Sequence, residues 1–315
     1  MTFLQTLIAS VKGSFPGIVY WLLLPLIPFI VAEQLRPVGR APRFRDYWLN
    51  ILISLSTAYM SLPMGIAAGL LSGKLRHLLP WKPLSFSFRD LGTLPVVGPG
   101  LEIVAMIFIP LFIHDCWFYW SHRIEHKVPA LWEFHKIHHS DELMNTTTWA
   151  RDHFLQEGWR AFFSLFTLGL VINLHPAEAD QTALYSTMFL VALSMFYHSA
   201  IRIHLPWLDY ILVTPQVHRI HHSIRAEDHN RNFADVLPIF DLVFGTFQRP
   251  VREEFPATGL GSESPAPGSL FAAQFRPLFA AARSLRPADR DTANCSDSGF
   301  VKRASVDLLA WSFYL

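Results

Sequence analysis

The chain has 315 residues, 51% of them hydrophobic and 14% aromatic, with only 16% charged and a positive mean hydropathy of +0.26. Soluble domains carry about 25% charged residues, so this composition excludes an ordinary soluble domain and points to a membrane protein. A net charge of +1, with no dense Lys/Arg stripe among aromatics, gives no basis for a nucleic-acid partner. The two cysteines, Cys116 and Cys295, are far apart and form no CxxC pair, so neither a disulfide framework nor a cysteine zinc site is expected.

A bilayer core of about 30 Å takes roughly 20 mainly apolar residues per helix. The first such run, 17–32, outlasts a signal-peptide core and lacks a small-residue cleavage site, so it reads as a retained span. Arg36, Arg40, Arg43 and Arg45 follow it and favour a cytoplasmic loop there. Further spans are expected at 48–71 and 97–120. The proline-rich, aromatic stretch 72–98 between them suits the membrane interface. Two shorter apolar runs, 162–174 and 183–197, can form a hairpin. Counting spans returns the end of the third helix, and then the end of the hairpin near Arg202, to the cytoplasmic side. The expected fold is all-α: an integral-membrane, multi-pass bundle of four to five hydrophobic helices with a cytosolic, histidine-rich helical cap. Its parts are N-terminal spans and interfacial segment at 1–96, a catalytic domain at 97–250, and a poorly ordered tail at 251–315. A short amphipathic helix is expected within that tail, near 270–285.

Fifteen histidines are unusual, and most of them are clustered. His122-Arg-Ile-Glu-His126 is followed by His135-Lys-Ile-His138-His139, and His218-Arg-Ile-His221-His222 repeats the H-x-x-H-H form about 80 residues later. Residues three and four apart share a helix face, so each cluster can aim two or three imidazoles at one point. Neutral imidazole suits Fe, Zn, Cu and Ni. Eight such ligands exceed the four of a tetrahedral zinc site and match two metals with positions left open. A redox metal with open positions can engage O2, which favours iron over zinc. His198, closing the last apolar run, is expected at the same depth as a ninth ligand. His114 is placed above the site. Asp115, His153 and His204 are candidate supports behind the ligands. A salt bridge from Asp115 to Arg123 or Arg151 is the competing role.

These segments resemble the fatty acid hydroxylase/sterol desaturase family of membrane enzymes. The resemblance runs from about His114 to Phe247. Besides the three histidine boxes it rests on Asn145-Thr-Thr-Thr-Trp-Ala-Arg151, Tyr197-His198-Ser, Asn232-Phe and Phe240-Asp-Leu-Val-Phe-Gly-Thr-Phe247. It implies a non-haem di-iron centre on the cytosolic side. It also implies hydroxylation or desaturation of a C–H bond in a sterol, fatty acyl chain, ether lipid or carotenoid. O2 and electrons from a ferredoxin, cytochrome or reductase would drive that reaction. Phe240 stands where Trp is usual, Ala234 where Gly is usual, and Arg202 where some members place a further histidine. Two other readings are weighed. His122-Arg-Ile-Glu-His126 also fits the H-x-x-E-H pattern of a membrane zinc peptidase with Glu125 as base, but this leaves both H-x-x-H-H clusters without a role. The other is a non-enzymatic metal or haem carrier.

Overall fold

The computed structural model describes residues 25–79, 84–85, 87–173, 176–261 and 267–285. Helices follow one another as α1 (Leu26–Leu35), α2 (Phe44–Leu75), α3 (Arg89–Gly92), α4 (Gly98–Lys127), α5 (Pro129–His139), α6 (Phe154–Val171), α7 (Pro176–His198), α8 (Pro215–His221), α9 (Ile239–Val243) and α10 (Leu270–Ser284). Extended pairing among the described residues is confined to two isolated bridges and one short parallel pair, β1 (Leu84–Ser85) with β2 (Ile172–Asn173). The all-helical expectation therefore holds.

Local sequence sets the helix ends. The α2 helix starts where the Asp46 carboxylate accepts the Arg43 backbone N–H at 2.7 Å. That interaction satisfies one of the donors a helix start leaves free. The α8 helix starts at Thr214, whose hydroxyl accepts from Val217 N, with Pro215 at the first position. Only Val128 separates α4 from α5, and Pro129 opens α5. This tight corner swings α5 back beside the end of α4.

Two helices among the described residues, α2 and α4, are long and apolar enough to cross a membrane. Only 28% and 22% of their most apolar windows are buried inside the chain. A soluble core helix would hide these faces, whereas α4 leaves Val104 and Phe112 about half exposed, with Trp117 and Trp120 also open. An apolar surface of that extent marks a membrane or protein contact. Of the expected spans, 48–71 and 97–120 thus coincide with apolar spanning-length helices. The expected pair at 162–174 and 183–197 forms α6 and α7. The first turns of α6 carry Gln156, Glu157 and Arg160, which turn inward instead of meeting lipid. Residues 17–24 of the first expected span lie outside the described residues.

Packing gathers the helix ends. The α2 and α6 helices run closely side by side, and a Cβ added at Gly169 would stand 2.7 Å from Ser72 Oγ. Such small-residue contacts let helix backbones approach. The α4 helix packs on α5, α6 and α7, and α7 packs on α8. The main apolar core joins Leu111 of α4 to Leu193 and Tyr197 of α7 and to Val213, Val217 and Val236. Phe240 and Phe233 close on the Tyr119 ring.

The expected loose tail at 251–315 is ordered where it is described. Ser223 bridges Thr258, and α10 docks on α5 and α2. The reason is the polar fit of Gln274 described below, together with Ala273, Ile53 and Ile137, which form a small buried core. Residues 286–315 lie outside the described residues.

Glu33 ties the cap together. Fully buried in α1, its carboxylate accepts Thr146 N at 2.6 Å, Ala200 N at 2.7 Å and the Tyr47 hydroxyl at 2.8 Å. It thereby fixes the loops that follow α5 and α7. Glu33→Ala leaves these donors buried without an acceptor, and each such orphan costs about 1–3 kcal/mol. The expected result is a clearly lowered thermal midpoint in detergent. An unchanged midpoint contradicts this role.

Candidate metal centre

Nine buried or nearly buried imidazoles meet where α4, α5, α7 and α8 converge. They form two groups: His122, His126, His135, His139 and His221, and then His138, His198, His218 and His222. In each group the ligating atoms lie within 4.8 Å of one another. All nine expected ligands are thus brought together.

The helical spacing divides each box between the groups. In α5, His135 and His139 are one turn apart and enter the first group, while His138 projects to the second. The third box does the reverse: His218 and His222 serve the second group and His221 crosses to the first. The two groups share a wall, with the His139 and His222 rings stacked 4.3 Å apart.

The Nε2 atoms point inward. His135 Nε2 stands 3.0 Å from His122 Nε2, 3.1 Å from His126 Nε2 and 3.0 Å from His139 Nε2. In the second group His198 Nε2 stands 3.1 Å from His138 Nε2 and 2.9 Å from His218 Nε2, with His222 Nε2 3.0 Å from His218 Nε2. For metal–nitrogen bonds of about 2.1 Å, ligand nitrogens at right angles stand about 3.0 Å apart, and tetrahedral ones about 3.4 Å apart. The spacing is short enough for the nitrogens of each group to share one metal ion. His221 Nε2 is buried without any protein partner, a vacancy in hydrogen bonding that a metal in the first group would fill. Burial first, and then mostly neighbouring histidines, hold the imidazoles of His135, His138, His139, His218 and His222 well below their ordinary range. These rings are neutral at neutral pH, as metal ligation requires.

Three of the Nδ1 atoms face outward to backbone carbonyls. His122 Nδ1–H donates to Phe233 O at 2.7 Å, His221 Nδ1–H to Arg231 O at 2.8 Å, and His198 Nδ1–H to Ser194 O at 2.8 Å. A proton on Nδ1 leaves Nε2 free as a ligand. Each group also has one carboxylate behind it. Glu125 Oε2 lies 3.5 Å from His135 Nδ1, and Asp152 Oδ1 lies 3.6 Å from His138 Nδ1. The Gln156 amide lies 2.8 Å from His135 Nδ1. Burial pushes the Asp152 carboxyl up to about 8, and a cation on His138 would favour its ionised form.

Loop 231–233 supplies two of these carbonyls. Asn232 at its centre has a φ of +54°, which asparagine tolerates better than most residues. Its side chain donates to Val217 O and Gln248 O, both at 3.0 Å, and accepts from Gln248 N at 2.7 Å. Asn232→Val loses all three bonds and resists that φ, so the carbonyls for His122 and His221 drift together. Disturbing such supports lowers metal affinity about 10–100-fold. Metal titration is expected to show this loss in the first group while the second keeps its metal. Equal loss from both groups would count against the assignment.

Three expected supports act elsewhere. Asp115 touches none of the nine histidines: its carboxylate accepts Asp235 N at 2.9 Å and Leu237 N at 2.6 Å, so it braces the loop beyond Phe233. It pairs with neither Arg123, which meets the Tyr119 hydroxyl, nor Arg151, which meets Ile137 O and Ser140. His153 donates from Nε2 to Gln274 O at 2.9 Å and accepts Leu155 N at Nδ1, so neither nitrogen is free for a metal. His204 bonds Gln216 Oε1 at 2.7 Å and joins neither group. His114, placed above the site, bonds Ser164 and Asp235.

Sequence reasoning passed over Gln156, Trp159 and Arg160. Trp159 Nε1 and Arg160 Nε donate to Glu125 at 3.0 and 2.9 Å, and a second Arg160 nitrogen joins them. The available signal was Gln156 and Arg160 one turn apart in an otherwise apolar helix, since polar groups at such depth tend to face the interior and serve function.

Fold and site together describe a helical membrane protein with two adjoining histidine groups that could bind metal. Residues 107–246 match the fatty acid hydroxylase family model, which supports placing this segment of the chain in that family. It is 33% identical to human alkylglycerol monooxygenase over 136 residues, 42% of this chain and 28% of that protein. It is 27% identical to the ornithine lipid hydroxylase of Rhizobium tropici over 49% of this chain and 45% of that protein. A cholesterol 25-hydroxylase-like protein of Danio rerio matches at 24% identity over 70% of this chain and 84% of its own length. The chain thus spans only 28% of the alkylglycerol monooxygenases it matches. No solved structure matches.

Proposed function

We propose that this chain is a multi-pass membrane oxygenase that holds two irons and hydroxylates or desaturates a C–H bond of a lipid-type substrate, with its histidine cap on the cytoplasmic side. The observation that carries this reading is the division of nine inward-facing imidazoles into two adjoining groups. Iron bound there supplies redox chemistry with O2, which no side chain of the chain can perform. A separate ferredoxin, cytochrome or reductase supplies the electrons.

The chain's own residues do the rest. A cavity of about 480 Å³ opens beside the first group, with His126, His139 and His221 at its floor. Trp132, Ile224 and Leu260 give it apolar walls, and Lys136, Asn230 and His229 line it with polar groups. That pairing suits a lipid whose chain lies against the walls while its polar end meets the mouth. The carbonyls of Phe233 and Arg231 keep the Nδ1 protons in place and so hold Nε2 open for metal.

Glu125 argues against a zinc peptidase. A general base must reach the reacting water, yet this carboxylate is held by Trp159 and Arg160 on the Nδ1 side of His135, away from the inward Nε2 atoms. A haem carrier needs a gap for the macrocycle between two imidazoles, and here the neighbouring rings pack 4.2–6.5 Å apart. Lipid profiling of cells with and without the gene tests the reaction. The expected difference is a lipid changed by one oxygen or two hydrogens. An identical lipidome, with active-site iron shown present, would overturn the reading.

A further inference from the structure

The α10 helix has two unlike faces. Ala272, Ala273, Gln274, Pro277 and Ala281 are buried against α2 and α5. Phe271 and Phe279, 70% and 67% exposed, stand on the opposite side with Phe275 between them at helical spacing. Phe271 and Phe279 stay largely open among the described residues, Phe275 is partly covered by the Phe271 ring, and Arg276 and Arg283 are exposed beside them. An amphipathic helix with aromatics on one side and cations along it is built for a lipid surface.

Its position in the fold points the same way. Gln274 donates to Ser56 and Thr57 of α2 at 3.1 and 3.0 Å. N-terminal to that crossing, α2 serves the cap: Asn50 bonds Asp141, and Ser54 bonds Ala150 O. C-terminal to it, the stretch to Leu75 measures about 27 Å at about 1.5 Å per residue, close to a hydrocarbon core of about 30 Å. The α10 helix therefore crosses α2 where the helix passes from cap to bilayer.

We propose that α10 lies along the membrane surface on the side of the metal centre. Phe271, Phe275 and Phe279 enter the acyl boundary, and Arg276 and Arg283 meet the phosphates of anionic lipids. The inner face completes the role. Gln274 also accepts Phe154 N with its side chain and His153 Nε2–H with its carbonyl, so the helix is latched to the segment that carries Asp152 and Gln156. This proposal requires the chain to sit in a bilayer and does not depend on the reaction assigned to it, so either can fail alone.

The test uses the full chain, loaded with metal, in vesicles of phosphatidylcholine and phosphatidylserine. With Cys116→Ser and Cys295→Ser as background, an environment-sensitive dye is attached at Phe271→Cys or Phe279→Cys. Both positions are exposed, so the dye displaces no packed atom, and the metal content reports an intact cap. The expected result is loss of dye fluorescence to lipids carrying a nitroxide near the headgroup, with no loss to iodide in the water. Arg276→Glu/Arg283→Glu is expected to reduce that lipid quenching in phosphatidylserine vesicles and to leave it unchanged in phosphatidylcholine alone. Quenching by iodide alone places the face in water, and quenching by neither agent places it against a second copy or another protein. Either outcome overturns the proposal.

Discussion

Alanine at His138 or at His139 is expected to leave about one metal ion per chain, and alanine at both to leave none. These residues are adjacent in sequence, yet their rings serve different groups. His139 Nε2 stands 3.0 Å from His135 in the first group, and His138 Nε2 stands 3.1 Å from His198 in the second. Each single variant therefore removes one nitrogen from one group and leaves the other group complete. Even outer supports of a metal are worth about 10–100-fold in affinity or activity, so loss of a direct ligand exceeds that. If the reaction uses both ions together, as proposed, turnover should fall by more than about 100-fold in either single variant. Elemental analysis of the purified protein gives the count and separates iron from zinc. If both single variants lose all metal, the nine histidines form one site. If the double variant retains two ions, the histidines do not hold them.

The histidine pattern was readable because its chemistry is written at helical spacing, but the division of each H-x-x-H-H box, with its first and last histidines in one group and its middle one in the other, emerged only from the packing. What the sequence did not disclose is which residues stand behind the ligands. Asp115 lies two turns before His122 on the same helix and looked like its support. The actual partner is a carbonyl, Phe233 O, from a loop 111 residues away. Every residue carries a carbonyl, so no side-chain pattern marks the one that matters. Gln156 and Arg160 were legible in principle as polar breaks in an apolar helix, but only the packing of α6 on α4 aims them at Glu125. The fold class and the two long apolar helices followed from hydropathy. The helix near 270–285 was legible as an amphipathic segment, but its packing on α5 and α2 was not, because the polar groups that receive Gln274 come from distant parts of the chain.

The arrangement around Glu125 predicts a stability effect that the H-x-x-E-H pattern alone would not. Glu125 is 1% exposed and carries a full complement of donors from α6: Trp159 Nε1, two nitrogens of Arg160 and the Gln156 amide. Arg160 in turn lies over the Phe118 ring, 4.6 Å from its centroid. Removing one partner of a buried ion pair leaves the other charge without compensation, which costs about 3–5 kcal/mol. Arg160→Met and Glu125→Gln are therefore each expected to lower stability by that amount and to loosen the His135 ring. Glu125→Leu/Arg160→Met removes both charges and should recover most of the loss. It stays about 1–3 kcal/mol below the parent because the buried Trp159 N–H then lacks an acceptor. The parent, Arg160→Met, Glu125→Leu and their combination form a double-mutant cycle, and a large coupling energy is the expected sign of direct contact. Thermal or denaturant unfolding of the metal-loaded protein in detergent measures it. A peptidase in which Glu125 is the base makes the opposite forecast: Glu125→Gln would fold and bind metal as the parent does and lose only turnover, with stability additive across the cycle. Additive stabilities together with full metal content in Glu125→Gln would therefore return Glu125 to the role its motif first suggested.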